Sequence, residues 1–346
     1  MCCIDKIVEV MRKLFFAVMS LLIVVAGCSE SNCVELMGLD EKDERGTVSL
    51  KLKFDEPVGK ALDDYDFVLD SEVIVNGIQV LVFDSLTGSL EGSLPLAGVN
   101  DQCDFNLPVG EKRVYALING PDVSRVRSLD DFFALTYDLS SGEQDGFAMI
   151  GSVTCEVKPG IVEEHVVRVS RMASRVVLRS IKCNVARQYG GMTVDCVFLG
   201  NAAVQQNLKG DSFSLVNVDG YADASKSQPI GLDGECGACA DYLYRSMGCG
   251  LTLGQRYEQP VCLYCQPNSS DCFTCLYLLV TIGDHKYYYR VSLDKGLTAN
   301  TTCAVDVVIT NLGAHLPPDG DMQKGEIETL ISIDDWSLGN LYNAEF

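Results

Sequence analysis

The chain has 346 residues, 47% of them hydrophobic and 22% charged, with 27 basic side chains against 48 acidic ones. A formal charge of −21 excludes the nucleic-acid-binding classes, whose affinity comes from clustered Lys and Arg. Three histidines leave little imidazole for acid–base or metal chemistry, and 16 cysteines at this length fall short of a disulfide scaffold.

In chain order the first element is an address. Arg12 and Lys13 form a basic start, Leu14 to Val25 are nearly all apolar, and Ala26-Gly27 precede Cys28. Met11 suits the start of such a signal better than Met1. The apolar run is too short to cross a ~30 Å hydrocarbon core comfortably. Val25-Ala26-Gly27-Cys28 resembles the bacterial lipobox, in which the cysteine sulfur is acylated and becomes the mature N-terminus. The sequence therefore predicts a signal peptide over 1–27, lipid on Cys28, and a tether over 28–46. Acyl chains would supply the membrane affinity.

From Thr47 onward the dominant period is two, the mark of half-buried strands. Val48, Leu50, Leu52 and Phe54 alternate with Thr47, Ser49, Lys51 and Lys53. Similar runs are predicted at Glu72–Asp84, Lys112–Ile118, Val153–Val157, Ile161–Val169, Arg175–Lys182 and Met192–Leu199. Others lie at Val261–Cys265, Phe273–Ile282, Lys286–Leu293, Cys303–Thr310 and Ile327–Trp336. One helix stands out, opened by a capping box of Ser128 and Asp131 ahead of Leu129, Phe132, Phe133 and Leu135. A second helical stretch is expected around Asp241–Met247, ended early by Gly248 and Gly250.

The fold class expected is all-β, built of β-sandwiches with one or two short helices. Lys158-Pro159-Gly160 is the best boundary, giving sandwiches over 47–158 and 161–346. Residues 201–259, rich in Gly, Ser, Asp and Ala, are predicted to be a long excursion from the second sandwich.

Motifs that carry chemistry are scarce. The glycines at 248, 250 and 254 lack the spacing and context of a phosphate-binding loop, and there is neither a Gly-x-Ser-x-Gly elbow nor His-Glu-x-x-His. His165, His285 and His315 read as solvated or structural. Cys236/Cys239, Cys262/Cys265 and Cys272/Cys275 form three Cys-x-x-Cys pairs, a spacing that can hold zinc. Two of the pairs lie in strand-like runs, however, where residues three apart point to opposite faces. Buried thiols or disulfides come first, zinc second and a redox role third. No cofactor and no metal site is assigned, and the chain is not read as an enzyme.

The order of these segments resembles the Bacteroidales fimbrillins, lipoprotein-derived subunits of type V pili. The likeness rests on the lipobox, the strand Gly46–Phe54, the Ile78-Gln-Val-Leu-Val-Phe-Asp84 core and the capped helix Ser128–Leu139. It continues through Arg171–Ile181, Cys265-Gln-Pro-Asn268, Tyr287–Leu293, Leu297–Thr302 and Ile331-Ser-Ile-Asp-Asp-Trp336. It covers nearly all of 28–346.

The resemblance implies two transthyretin-like Greek-key domains and assembly by strand exchange. An arginine-specific protease removes the first strand, and the open groove accepts a C-terminal strand from a neighbour. Val48, Leu50, Leu52 and Phe54 would be the groove strand, and 326–346, with Ile327, Ile331, Ile333 and Trp336, the donor. Arg45 and Lys60 are the nearby residues at which processing is possible, because no arginine lies between Gly46 and Lys112. The partners implied are other fimbrial subunits, the outer membrane through lipid, and a host surface protein or glycan, with no nucleic acid. The expected place is the cell surface, as an exported outer-membrane lipoprotein in a fimbrium. A tip or anchor subunit is the alternative.

Overall fold

A computed structural model describes residues 44–54, 72, 74–99, 101–139, 146–216, 240–268, 273–293, 297–315 and 327–335. The strands of the first sheet are β1 (Arg45–Phe54), β2 (Ile78–Asp84), β3 (Leu90–Leu96), β4 (Gln102–Pro108), β5 (Gly110–Ile118), β7 (Met149–Val157) and β8 (Val162–Arg171). They lie in the order β3-β2-β5-β7-β8-β1-β4. β7 and β8 pair only where Met149–Gly151 meets Val169–Arg171, and the sheet folds over along that line. Its two ends come together where Gly92 of β3 lies against the Phe105 ring of β4.

Alternation in each strand turns one face into this fold. Val48, Leu50, Val80, Val82, Phe105, Leu107, Val114, Ala116, Val167 and Val169 form one buried core. Outside the sheet, α1 (Leu129–Ala134) carries the capping box foreseen from Ser128 and Asp131. It seats Phe132 against Phe83 and Tyr115.

The rest of the chain builds a second core. β10 (Gly191–Gly200), β13 (Tyr244–Thr252), β16 (Cys275–Ile282) and β17 (His285–Ser292) form a sheet in the order β13-β10-β16-β17. β14 (Arg256–Tyr257), β9 (Ser174–Cys183), β18 (Thr301–Ile309) and β19 (Ile327–Asp335) form another in that order, with β15 (Val261–Cys265) also on β9. A small third sheet joins β12 (Ser212–Val216), β11 (Ala202–Asn207) and β6 (Thr136–Asp138). β9 and β16 are buried along almost their whole length, as strands covered on both faces are.

The all-β expectation agrees with this architecture. Three features differ from the sequence reading. Lys158-Pro159-Gly160 is a turn from β7 to β8 inside the first sheet, and the chain leaves that sheet only after Arg171. The described parts of 201–259 are not irregular: they hold β11, β12, α2 (Ala240–Leu243), β13 and β14. The expected helix stops at Leu243, and Gly248 and Gly250 belong to β13, an edge strand that needs few apolar side chains.

Candidate strand-exchange groove

β1 is the first described strand, yet it occupies an interior place in its sheet. It runs parallel to β8, with Leu50 opposite His165 and Lys53 opposite Arg168, and antiparallel to β4, with Leu50 opposite Cys103. Val48, Leu50 and Leu52 are 1%, 0% and 6% exposed, and Phe54 packs against the same core. Three of the four groove residues predicted from alternation are thus fully buried, and β1 fills a slot whose walls are β8 and β4. Removing it would bare two rows of backbone groups and an apolar trough.

The slot has particular local features. Gly46 passes so close to the β7–β8 turn that a β-carbon there would run into the Lys158 carbonyl oxygen and lie 2.9 Å from a Val157 methyl. On the outer face, the Lys51 Nζ reaches Glu164 at 3.4 Å, an exposed pair of small worth. On the inner face, Cys103 sits beneath the Leu50 carbonyl, and burial followed by the Asp104 charge pushes its thiol up to about 11.

Arg45 is exposed, and its Nη2 donates to the Asn106 carbonyl at 2.9 Å. The Arg45–Gly46 bond lies inside the ladder, because Arg45 pairs with Pro108 and Gly46 with Leu107. A protease needs that stretch frayed before it can cut. Lys60, Cys28 and Trp336 lie outside the described residues.

The chain is pinned again at Glu72, which sequence reasoning missed. Its carboxylate accepts two bonds from Arg175 Nη1, at 3.1 and 3.0 Å, and one from the Tyr264 hydroxyl at 2.6 Å. The Arg171 Nη2 donates to the Glu72 carbonyl at 2.7 Å. Burial pulls the Arg171 guanidinium down to about 10, and burial followed by the Glu72 charge raises the Tyr264 hydroxyl. A lone glutamate gives no local signal of such a role. Its partners lie about 100 and 190 residues away, which only the fold reveals.

Toward the other end, among the described residues β19 is an edge strand paired with β18, with Ile327 opposite Ile309, Ile331 opposite Val305 and Ile333 opposite Cys303. Ile331 is half-buried against the second core. Just upstream, Ala314 exchanges two backbone bonds with Tyr288 of β17, and the Tyr289 hydroxyl donates to the Asn311 carbonyl. The chain is therefore tied down as far as Ala314, before the Pro317-Pro318 stretch.

The cysteine pairs are only partly in view. Cys262 and Cys265 are buried on β15 and Cys275 is buried on β16, while Cys236, Cys239 and Cys272 lie outside the described residues. Burial raises the Cys262 thiol to about 11 and the Cys265 thiol further. Among the described residues no three His, Cys, Asp or Glu side chains are grouped to hold a metal ion.

No family model and no curated protein matches the sequence. Solved structures do match in fold. A candidate cell adhesion protein from Bacteroides eggerthii aligns with TM-score 0.61 at 15% identity, over 85% of this chain and 96% of that one. Another, from Parabacteroides distasonis, aligns with TM-score 0.59 at 17% identity, over 84% and 97%. A fimbrilin, FimA, from Porphyromonas gingivalis aligns with TM-score 0.58 at 16% identity, over 85% and 98%. Since almost the whole length of each is matched, the likeness is one of complete architecture: this chain has the fold of a fimbrilin and of these candidate adhesion proteins.

Proposed function

We propose that the chain is a structural subunit of a cell-surface fimbria, assembled by strand exchange and contributing to adhesion through the polymer. The observation that carries this reading is β1: the first described strand, buried between β8 and β4 of its sheet, in a fold shared with a fimbrilin. A donated strand would restore both the buried face and the ladder that β1 supplies, which is β-augmentation. β19 is suited to donation because, among the described residues, β18 is the strand that holds it. Cys28 carries the lipid that holds the precursor in the outer membrane, and other fimbrial subunits are the partners. The two sandwiches divide the labour, the first accepting a strand and the second donating one. No catalytic step and no cofactor is needed.

One observation favours a second reading as the basal anchor. The Arg45–Gly46 bond follows the first residue of β1, so a cut there removes the lipid and leaves the rest of the strand filling the groove. A tip subunit binding a host protein or glycan is the remaining place in a fibre.

Electron microscopy of cells lacking this chain tests the proposal. Loss of fibres is expected for a stalk subunit, and detached fibres for an anchor. Unchanged, attached fibres would refute both. Cys28→Ser should in addition abolish fatty-acid labelling.

A further inference from the structure

We propose that the β1 groove accepts Gly325–Ile333 of a second copy of this chain in one direction and one register, with Gly325 taking the place of Gly46. The inference rests on the strand-exchange reading and names the geometry that selects the partner. Arg45-Gly46-Thr47-Val48-Ser49-Leu50-Lys51-Leu52-Lys53-Phe54 lies over Lys324-Gly325-Glu326-Ile327-Glu328-Thr329-Leu330-Ile331-Ser332-Ile333. In this frame the inward positions of β1 receive residues of a single parity: Ile327 for Val48, Thr329 for Leu50, Ile331 for Leu52 and Ile333 for Phe54.

Steric exclusion fixes the frame. The slot at Gly46 admits no β-carbon, because the Lys158 carbonyl occupies that space. Gly325 is the only glycine just ahead of the alternating Ile327–Ile333 stretch. Reversing the strand, with Ile333 in place of Val48, puts Asp335 at the forbidden slot. Sliding the forward frame by two residues puts Ile327 or Gln323 there. Sliding by one residue turns every isoleucine to the wrong face.

The outer face agrees at two positions. Lys51 lies opposite Val166, which is 40% exposed, and Leu330 in that place would cover it. Lys53 lies directly opposite Arg168, like charge against like, and Ser332 would remove the repulsion. The one disfavoured position is Ser49, itself 1% exposed and bonded by Gln102, where Glu328 would face Glu164 and Asp104 and cost part of the gain from the isoleucines. On the inner face Thr329 would sit beside His165, the polar member of the groove wall opposite Leu50.

The native Cys103, opposite Leu50, supplies a direct test. A cleavage site is inserted after Lys60 of the full chain, β1 is loosened with mild denaturant, and peptides of residues 324–335 are offered on dilution. Oxidised glutathione serves as the electron acceptor for disulfide formation. A β1 peptide, residues 45–54 with Leu50→Cys, sets the scale for full occupancy. The Thr329→Cys peptide is expected to cross-link to Cys103 and the Ile331→Cys peptide at about a tenth of that yield or less. Gly325→Val should slow entry about tenfold or more, the scale of overpacking at a closed site. Equal cross-linking through Ile331→Cys, or unimpaired entry of Gly325→Val, overturns the register and leaves strand exchange standing. Failure of every 324–335 peptide where the β1 peptide enters refutes strand donation itself, and this inference with it.

Discussion

Leu50→Ala and Ile331→Ala, compared in one unfolding experiment, ask which terminal strand belongs to its own subunit. Leu50 is 0% exposed, flanked by β8 and β4, and lies in the first core. Truncating such a leucine leaves a cavity that the rigid sheet closes only in part, so the loss should be about 2–5 kcal/mol. Ile331 is partly buried on a strand at the edge of its sheet among the described residues, and the same truncation removes less buried surface. The expected loss there is about 1–2 kcal/mol. Urea unfolding of the purified chain, with m held constant across variants, measures both. Fibre incorporation should follow the opposite order for the donor, with Ile331→Ala impairing assembly while the monomer stays nearly as stable. An Ile331→Ala loss as large as that of Leu50→Ala would show that β19 is integral to its own sandwich, and the donor argument would fail.

Three further outcomes follow from named contacts. Glu72→Gln should cost about 3–5 kcal/mol, since it strips the buried Arg175 of its counter-charge, while Tyr264→Phe should cost about 1–3 kcal/mol; denaturant midpoints that do not move would contradict the role assigned to this node. Asp84 is held down at about 2, first by its bond from the buried Lys112 and then by the Thr87 amide. Its stabilising contribution is present above the ordinary carboxylate range and is lost as pH falls toward about 2, so Asp84→Asn should flatten the acid limb of a stability–pH profile. Cys103, buried and raised to about 11, should resist maleimide at neutral pH in the intact chain and react once β1 has left; prompt labelling at Cys103 itself in the intact chain, read by peptide mapping, would mean that the groove is already open.

Much of the fold was legible because alternation is a local property. The run at Val261–Cys265 is β15 from end to end, and the capping box at Ser128 and Asp131 opens α1 as its spacing requires. What escaped was of two kinds. β3 carries Gly92 and Pro95, and β13 carries Gly248 and Gly250, so neither shows a clean period; edge strands are excused from burying a full face. Pairing is the other kind. Nothing in the stretch around Gly46 says that it will lie against the Lys158 carbonyl, and nothing near Glu72 points to Arg175. The candidate site was therefore half visible: its apolar face was written in β1, and the walls that give it shape were not.

The processing question turns on where β1 can be severed from the retained body. Glu72 is bound to Arg171, Arg175 and Tyr264, so the body begins no later than Glu72. The stretch from Asp55 to Ser71 contains Lys60 and no arginine. On the proposed reading, a subunit cut at Arg45 would lose its lipid but keep Val48, Leu50 and Leu52 in place, and it would donate β19 without accepting a strand. A subunit left uncut keeps both the lipid and the filled groove, and it can end a fibre only at the membrane. A subunit cut at Lys60 would on the same reading both donate and accept, and only that form would propagate a stalk. The mature N-terminus recovered from cells separates these cases, Gly46, Cys28 or Ala61 in turn, because each new end determines whether the slot between β8 and β4 is open.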